Sequence, residues 1–397
     1  MAKKRLPKDI SQDSVQRTMA LGKNAAVLGR LIGRERLSGA DSDKEICSLT
    51  ISAEDDFAYE AGDWLAVIPQ NDGGDVYALL QELGGNAAEA VPVRGSAEKL
   101  PLSEALKNFC TITQVPANLA AFFAERERNS QKKESLLSGL AGDAASFLCG
   151  HDLRSFLRHF VTDIPPLLEW VPLLKPLQPR MYSIASSPHV DKKIVKLLVT
   201  TATHADAAGN MRCGLASSYL NRRLRIGDFL RCYTVRSRFR LPEDPQTDVI
   251  MVGPGAGLAP FMGFLEERLW QRTAGMGAGR NWLFFGDRHR KSDFIFREKL
   301  MAYERNSLLT RLDLAFSRDQ EKKIYVQDRI LECGEELWNW LDGGAYFYIC
   351  GNAKRMAKDV EEAAITALVC SRGVEREAAA SQLKELQRTR RYQQDVY

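Results

Sequence analysis

The sequence lacks most of the marks of secreted, metal-binding or membrane-spanning proteins. Its 8 cysteines are scattered over 397 residues without a Cys-x-x-Cys pair, so neither a zinc site nor a disulfide framework is indicated. No segment reaches the roughly 18 uninterrupted apolar residues that indicate a transmembrane helix. The basic first residues lead into polar residues, not into the apolar stretch of a signal peptide. We therefore expect a reduced, cytoplasmic protein with no metal site and no membrane partner.

The sequence also has no large excess of positive or negative residues. The net charge of +4 is small and dispersed, which argues against a nucleic-acid partner. The hydrophobic content of 45% and the charged content of 27% are ordinary for a globular protein. A chain of 397 residues is long enough for roughly two or three domains with full-sized cores.

The first part of the chain has the short, alternating apolar pattern of antiparallel strands. Residues 1–24 are charged and without periodicity, so we expect a flexible tail there. One strand is predicted over Ile46–Ile51 and another over Trp64–Ile68, where a Pro-Gln-Asn-Asp turn follows. Further strands are predicted at Arg180–Ser187, Lys193–Thr201 and Phe229–Val235. The strands are typical of an antiparallel barrel or sandwich, and we expect a β-barrel domain over 25–241.

A mostly helical insertion is predicted within this barrel, at about residues 70–178. Asp75 begins a helix that ends at two glycines, and 118–129 has a second helical pattern. Asp152 is the predicted N-cap of a third helix, whose leucines and phenylalanines recur on one face. We expect these aromatic residues to pack in a core and not to line a pocket. The stretch Lys132–Gly142 is predicted to be a loop.

From Asp248 onward, strands and helices alternate. Strands are predicted at Val249–Val252, Asn281–Phe285, Leu309–Phe316 and Ala345–Cys350, with helices up to Gln271 and from Ser292, Val326 and Ala353. Each strand is nearly continuously apolar, as a sheet covered on both faces requires, so a doubly wound parallel sheet is predicted. Ligands of such sheets lie beyond the carboxyl ends of the strands. Four stretches are expected to meet there: 253–257, 286–288, 317–318 and 350–352.

Three glycines, Gly253, Gly255 and Gly257, follow the first of these strands. Glycines let a backbone turn sharply and approach a ligand, and the helix behind them directs free N–H groups at an anion. The spacing differs from the usual Rossmann fingerprint, and Thr273 stands where an acid for the ribose would be expected, about 20 residues on. A dinucleotide-pyrophosphate turn and a plain strand-to-helix turn both fit this stretch alone.

A second turn of small residues, Arg212 to Leu220, opens a predicted helix in the barrel half. Its N-terminus is a second candidate anion site, to which Ser217 and Ser218 can add hydroxyl donors.

A cluster of anion-binding residue types follows the strand that ends at Phe316. It combines an arginine fork, a lysine, hydroxyls and an aromatic face, which together suit a phosphate on an adenosine. Its members are Ser317, Arg318, Lys323, Tyr325 and Gln327. A solvated charged loop is the alternative. The position at a strand end favours a 2′-phosphate pocket, and therefore NADP over NAD.

Together these motifs resemble the ferredoxin–NADP reductase superfamily. The matching motifs are Arg180-Met-Tyr-Ser183, Gly253-Pro-Gly-Ala-Gly257, Ser317-Arg-Asp-Gln, Tyr325-Val-Gln-Asp, Cys350-Gly, Arg355-Met-Ala-Lys-Asp359 and Arg391-Tyr-Gln-Gln-Asp-Val-Tyr397. The sequence is similar, over about residues 24–397, to the NADPH-sulfite reductase flavoprotein (alpha) subunits of the diflavin branch, to which cytochrome P450 reductase also belongs. The resemblance implies that the barrel binds FAD, that the insertion is the connecting domain, and that 242–397 binds NADP(H).

The resemblance also implies roles for individual residues. The implied FAD ligands are Thr113, Arg180, Met181, Tyr182, Ser183, His204, Gly214, Leu215, Ala216 and Ser217. Tyr182 would lie against the isoalloxazine, and Arg180 on the pyrophosphate. The implied NADP ligands are Gly253, Gly255, Gly257, Ser317, Arg318, Lys323, Tyr325, Gln327 and Asp359. Ser183, Cys350 and Asp395 would surround the hydride-transfer position, and Tyr397 would stack on the flavin where the nicotinamide enters.

Three departures from the family pattern stand out. The FMN-binding flavodoxin domain that precedes this region in the family is not expected, because only about 24 residues precede the match. Leu215 replaces a usual second glycine, and His204 replaces a tyrosine.

The resemblance implies an NADPH-dependent FAD reductase that passes electrons to a protein partner. A sulfite reductase haemoprotein is the first expectation for that partner, and a separate flavodoxin or ferredoxin is the second. The alternatives are a stand-alone NADPH–flavodoxin or ferredoxin reductase of another pathway and a non-catalytic docking subunit that keeps the fold.

Overall fold

The structure, a computed structural model, describes residues 27–53, 57–94, 98–206, 209–353 and 355–397. The predicted tail at 1–24 lies outside these residues. The chain divides into two compact units. The N-terminal unit consists of the described residues up to Gly29, Ala66–Arg180 and Thr201–Tyr233, and the C-terminal unit of Arg30–Leu65, Met181–Thr200 and Thr234–Tyr397. The domain limits proposed from the sequence divide the chain differently and stay a proposal.

The strands and helices follow in this order along the chain. The strands are β1 (Val27–Arg36), β2 (Ile46–Ala53), β3 (Trp64–Ile68), β4 (Ala90–Val91), β5 (Leu100–Pro101), β6 (Arg180–Ser183), β7 (Ile194–Thr200), β8 (Thr203–Ala205), β9 (Met211–Cys213), β10 (Phe229–Val235), β11 (Val249–Val252), β12 (Asn281–Asp287), β13 (Arg311–Phe316), β14 (Tyr346–Gly351) and β15 (Tyr392–Val396). The helices are α1 (Gly73–Leu83), α2 (Leu102–Asn108), α3 (Ala117–Arg126), α4 (Ser130–Ala141), α5 (Ala144–Leu148), α6 (Leu153–Phe160), α7 (Leu167–Trp170), α8 (Leu215–Ser218), α9 (Ala259–Thr273), α10 (Arg290–Asp293), α11 (Arg297–Arg305), α12 (Val326–Glu332), α13 (Gly334–Asp342), α14 (Met356–Arg372) and α15 (Arg376–Arg388). Among the described helices, none combines the length and the apolar character that crossing a bilayer would require.

The first sheet has six strands in the order β6-β3-β10-β1-β2-β7. Its two edges meet, because Ile184, just after β6, forms an antiparallel bridge with Leu197 of β7. The bridge is reinforced by a hydrogen bond from the Ala185 N–H to the Lys196 carbonyl, at 2.8 Å. Joining the edges leaves no open sheet edge there, so the sheet closes as the predicted barrel.

The segment between β3 and β6 carries seven helices and the short hairpin β4–β5. The Asp152 carboxylate caps α6 by accepting a hydrogen bond from the Ser155 N–H at 2.6 Å, as predicted. The rings of Phe156 and Trp170 lie 6.0 and 5.8 Å from that of Phe123, all buried. The aromatic residues of these helices therefore form a core, and the expectation of core packing is confirmed.

The predicted loop at Lys132–Gly142 is wrong, because helix α4 covers Ser130–Ala141. The Asn129 side chain caps this helix by accepting a hydrogen bond from the Lys132 N–H at 3.0 Å. The residues of the helix are mostly good helix formers, and Leu136 is fully buried. The Asn129 cap and the buried Leu136 are enough to stabilise this helix, although a single buried residue leaves little apolar periodicity in the sequence.

The second sheet contains five parallel strands in the order β13-β12-β11-β14-β15. Alternate residues of β11 enter different cores: Ile250 and Val252 pack with α12–α15, whereas Val249 and Met251 pack with α9 and α11. Both faces of the sheet are thus covered by helices, which confirms the predicted doubly wound parallel sheet.

Two elements of this α/β region differ from the prediction, one a helix and the other a strand. The helix predicted from Ser292 is two pieces, α10 and α11, separated by Phe296 at a left-handed φ of 53°. Phe294 and Ile295 turn into the core between them, and this burial outweighs the local helical pattern. The C-terminal strand β15 was not predicted, since two glutamines and an aspartate interrupt its apolar residues.

Candidate active site

The C-terminal unit contains a cavity of about 1280 Å³ at the carboxyl ends of the parallel strands. This volume exceeds the ~300–1,000 Å³ of most small-ligand pockets and suits an extended dinucleotide. The four stretches expected to meet at this edge all contribute to it, the last through Gly351 and Asn352. The predicted site residues that line it are Met181, Tyr182, Ser183, Gly255, Ser317, Arg318, Lys323, Tyr325, Gln327, Asp359, Asp395 and Tyr397.

The Asp395 carboxylate organises one end of the cavity. It accepts hydrogen bonds from the Ser183 hydroxyl at 2.6 Å and the Trp64 indole N–H at 3.1 Å. The Cys350 thiol lies 3.8 Å from the same carboxylate oxygen as the Ser183 hydroxyl. Cys350 and Asp395 are directly paired between β14 and β15, so the sheet register fixes this contact. The three residues predicted to surround the hydride-transfer position therefore do lie together.

The Cys350 thiol is neutral in this setting. It is 1% exposed, and burial together with the Asp395 carboxylate raises its pKa well above the usual range. A thiol that stays protonated is a weak hydrogen-bond donor and a poor nucleophile. The side chain is therefore suited to filling space and donating to Asp395, and not to covalent chemistry.

The last residue, Tyr397, is held by its backbone while its ring remains accessible. Its N–H donates to the Gly351 carbonyl at 3.0 Å, and its own carbonyl accepts from the Ala353 N–H at 3.0 Å. The residue is 68% exposed and lines the cavity. An exposed aromatic ring on a fixed backbone, lining a cavity, can be displaced by a ligand without unfolding of the chain end.

The three glycines after β11 have different roles. Gly255 has a positive φ of 57° and lines the cavity. At Gly257, a Cβ atom would lie 2.1 Å from the Cys350 carbonyl oxygen, and at Gly253 it would lie 2.6 Å from the Phe261 ring. The prediction that all three glycines approach a ligand thus has support only at Gly255. A 3₁₀ turn, Gly255–Leu258, contains the second and third glycines and leads into α9, so the α-helix itself starts only at Ala259.

The predicted phosphate cluster lines the other end of the same cavity. The Ser317 N–H and hydroxyl both donate to the Asp287 carbonyl, at 2.9 and 3.3 Å, which fixes the start of the cluster. The backbone N–H of Tyr325 donates to the Asp328 carboxylate at 2.7 Å at the N-terminus of α12. Arg318 and Lys323 supply two positive charges from this short segment. The arrangement suits an anionic group beside a planar ring.

Three polar residues at or beside the cavity were not identified from the sequence: Lys44 and Trp64, which line it, and Asp43, which accepts a hydrogen bond from the lining residue Arg288. The Asp287 side chain is 1% exposed, and its Oδ1 accepts from the Lys44 ammonium at 2.5 Å. Its Oδ2 accepts no hydrogen bond from any described residue. A buried acceptor without a donor is costly in isolation, so this oxygen fits a cavity that takes a hydroxyl-bearing ligand such as a nucleotide. The contacts of Lys44 with Asp287 and of Asp43 with Arg288 join distant segments of the chain, so no local sequence motif predicts them.

The remaining predicted FAD residues lie in the N-terminal unit. Thr113 lines a cavity of about 310 Å³ together with Arg154, Arg158 and Arg212. Arg154 and Arg158 are ion-paired with Glu82, and Arg212 with Asp206, while two aspartates, Asp75 and Asp152, also line this cavity. The charge around this cavity is therefore mixed. His204 lies on β8, paired with Arg212 of β9, and Arg180 is an exposed residue at the start of β6.

The turn at Gly214 is tightly bonded within the N-terminal unit. The Gly214 N–H donates to the Ala202 carbonyl at 2.8 Å. The Ser217 hydroxyl accepts from the Ala202 N–H at 3.1 Å and donates to the Gly214 carbonyl at 3.2 Å. The hydroxyl therefore serves the fold, which leaves the first-turn N–H groups at Leu215 and Ala216 as the donors that this turn can offer an anion.

Comparisons with known proteins match two regions of the chain to two different cofactor-binding families. The family model of the FAD binding domain matches residues 23–219, and that of the oxidoreductase NAD-binding domain matches 251–362. The "Sulfite reductase [NADPH] flavoprotein alpha-component" of Cronobacter sakazakii is 41% identical over 380 residues, covering 94% of this chain and 61% of the relative. The protein of the same name from Escherichia coli K12 is 38% identical over 394 residues, covering 96% of this chain and 62% of the relative.

The chain thus spans about 61–62% of the length of these relatives. Within that span the matches confirm the predicted resemblance, the predicted pair of nucleotide cofactors, FAD and NADP(H), and the predicted class of enzyme. The chain therefore contains one region that matches a FAD binding domain and another that matches an oxidoreductase NAD-binding domain, and over its matched length it is similar to the NADPH-sulfite reductase flavoprotein alpha-components.

Proposed function

We propose that the protein oxidises NADPH by hydride transfer to FAD and passes the electrons to a separate protein. One observation carries the proposal: Ser183 and Asp395, which the buried Cys350 contacts, line the same cavity as the Arg318 cluster. NADPH carries its 2′-phosphate at one end and its nicotinamide at the other, so a single extended molecule would match both groups. When bound, FAD supplies the ability to accept a hydride and release electrons singly.

The chain's own residues position the reactants and exclude water. The Ser183 hydroxyl donates a hydrogen bond to Asp395, so the lone pairs of its oxygen can accept a hydrogen bond from a ligand. Three donors hold the Asp395 carboxylate, which keeps this geometry before the ligand arrives. The Tyr397 ring lines the cavity and would stack on the flavin until a nicotinamide displaces it.

The remaining cofactor contacts form part of this proposal. Arg318, Lys323 and Ser317 would hold the 2′-phosphate, with Tyr325 and Gln327 at the adenine and Asp359 as a further contact. Thr113, Arg180, His204 and the turn Gly214–Ser217 would hold FAD, together with Met181, Tyr182 and Ser183. We also propose the domain limits 25–241 and 242–397.

The Arg318→Ala variant tests the choice of nucleotide. Loss of a charge-assisted contact to phosphate costs about 1.5–3 kcal/mol, and Arg318 is 45% exposed at its side chain, so the lower end applies. We expect kcat/KM to fall about tenfold with NADPH and to stay nearly unchanged with NADH, in steady-state kinetics. Equal losses with both nucleotides would show that Arg318 serves the structure alone.

For the electron acceptor, we propose a sulfite reductase haemoprotein first, because the relatives carry that enzyme's name. A flavodoxin or ferredoxin serving another pathway is the second candidate. The NADPH-reduced protein, mixed with each purified acceptor in turn, should be reoxidised rapidly by the true partner. If NADPH fails to bleach the flavin band at all, the protein is a docking subunit and the proposal is wrong.

A further inference from the structure

The loop between β1 and β2 reaches the phosphate end of the cavity within the C-terminal unit. Its Gly39 N–H donates to the Ser292 carbonyl at 2.6 Å, and the Ser42 hydroxyl donates to the Asp293 carboxylate. The Ser38 hydroxyl, buried within the loop, donates to the Lys44 carbonyl at 2.7 Å. These contacts fix the loop without any help from the side chain of residue 43.

Asp43 lies on this loop, and its carboxylate bridges two arginines of the cavity region. A single oxygen, Oδ2, accepts from Arg288 Nη1 at 2.8 Å and from Arg318 Nη1 at 3.0 Å. One oxygen shared by two guanidinium groups is the pattern that a phosphate oxygen makes with an arginine pair. Asp43 therefore stands where an anionic ligand of these arginines would place its charge.

We propose that Asp43 is an internal competitor of the nucleotide 2′-phosphate and sets the affinity of the site for it. The inference rests on the proposed function, in which Arg318 binds that phosphate. A phosphate monoester carries about −1.5 to −2 charge at neutral pH, so it displaces a single carboxylate from the arginines. The Asp43 side chain is 61% exposed and can move into solvent when this happens.

Two consequences follow for the nucleotides. Asp43 neutralises two arginines that would otherwise repel each other, and binding of the 2′-phosphate has to break both ion pairs. The apparent affinity for NADP(H) is therefore lower than the arginines alone would give, and release of NADP⁺ is faster. NAD(H) has no 2′-phosphate and leaves Asp43 in place, so Asp43 narrows the preference for NADP over NAD.

The test uses Asp43→Asn in the full chain, with Asp41→Asn as the matched control. Asp41 lies on the same loop, but its nearest charge is Lys291 at 3.7 Å, and both side chains are at least 80% exposed. Calorimetric titration with 2′,5′-ADP should show a Kd about 3- to 10-fold lower for Asp43→Asn, the range expected for two exposed ion pairs. The Kd for 5′-AMP should be unchanged, and Asp41→Asn should match the parent with both ligands. The gain should shrink as salt concentration rises.

A parallel titration of Arg318→Ala separates this inference from the proposed function. If Arg318→Ala weakens 2′,5′-ADP binding but Asp43→Asn leaves it unchanged or also weakens it, Asp43 does not compete and the inference is wrong. In that case the proposed NADP site still stands. If Arg318→Ala leaves 2′,5′-ADP binding unchanged, the proposed phosphate site is itself wrong, and the inference fails with it.

Discussion

Trp64 lies at the proposed hydride-transfer end of the cavity, and only the structure reveals its hydrogen bond to Asp395. The variant Trp64→Phe is the sharpest test of that proposal. The indole N–H donates to Asp395 Oδ1, whereas Ser183 and Cys350 approach Oδ2. Phenylalanine keeps an aromatic ring but has no donor. In the variant, Oδ1 of a carboxylate that is 8% exposed loses its indole donor.

The expected cost can be worked from this geometry. A hydrogen bond to a charged group contributes about 1.5–3 kcal/mol. The bond is 3.1 Å long and Trp64 is half-buried, so we take the lower end, about 1.5 kcal/mol. If the orientation of Asp395 sets the barrier to hydride transfer, flavin reduction should slow about tenfold. The Kd for NADP⁺ should stay within about twofold, since the phosphate end of the cavity is untouched.

Anaerobic stopped-flow mixing with NADPH measures flavin reduction directly, and NADPH deuterated at the transferred position identifies the hydride step. The slow phase of Trp64→Phe should keep a primary isotope effect. Trp270→Phe is the matched control, because Trp270 is also partly buried but stacks on His189 at 3.8 Å, and it does not line the cavity. A variant that reduces flavin at the parent rate, with the same isotope effect, would refute the reasoning. A slow variant that also melts early and loses FAD would show that Trp64 serves the fold.

Three further predictions concern the thiols and the chain end. Cys350→Ser should slow flavin reduction while NADP⁺ affinity stays within a few-fold, and parallel loss of FAD or of melting temperature would instead indicate a packing role. Deletion of Tyr397 should shift the flavin absorbance band, strengthen NADP⁺ binding and weaken discrimination against NADH; unchanged spectra and affinities would show that the ring does not touch the flavin. Burial raises the pKa of the Cys110 and Cys232 thiols to about 12, against about 8.5 in the unfolded chain. Their contribution to stability is therefore complete below about pH 8.5 and is lost as pH rises toward 12, by up to ~1.4 kcal/mol per pH unit for each thiol. Denaturant unfolding between pH 8 and 10 measures this fall, which should be shallower in Cys232→Ala.

Elements with strong local signals could be predicted from the sequence. The apolar strand β11 and its parallel neighbours are buried on both faces, so their composition alone identified the sheet. Asp152 was predicted as a cap because a capping carboxylate needs only the N–H groups of the next turn. The five residues of the phosphate cluster, which lie between Ser317 and Gln327, were predicted together because they are close in sequence, and all five line one cavity.

Features that depend on distant contacts could not be predicted. Helix α4 buries little besides Leu136, so its periodicity is weak. The bond between Trp64 and Asp395 joins residues 331 positions apart, and the bridge from Asp43 to Arg318 spans 275. Neither pair has a spacing or a motif of its own. Such contacts follow from the closure of the tertiary structure, which a local pattern does not encode.

The positions of Asp395 and Tyr397 at the candidate site depend on the register of β15. Contacts on the two faces of that strand fix this register. Tyr392 points into the core and stacks on Phe347 at 5.2 Å. On the opposite face, the Gln393 side chain bonds both the N–H and the carbonyl of Arg240, at 2.9 and 3.2 Å. Side chains alternate along a strand, so Asp395 and Tyr397 share the face of Gln393. A slip of one residue would expose Tyr392, break the Gln393 bonds and turn Asp395 away from Ser183. The same contacts that anchor the strand therefore deliver the carboxylate and the terminal ring to the cavity.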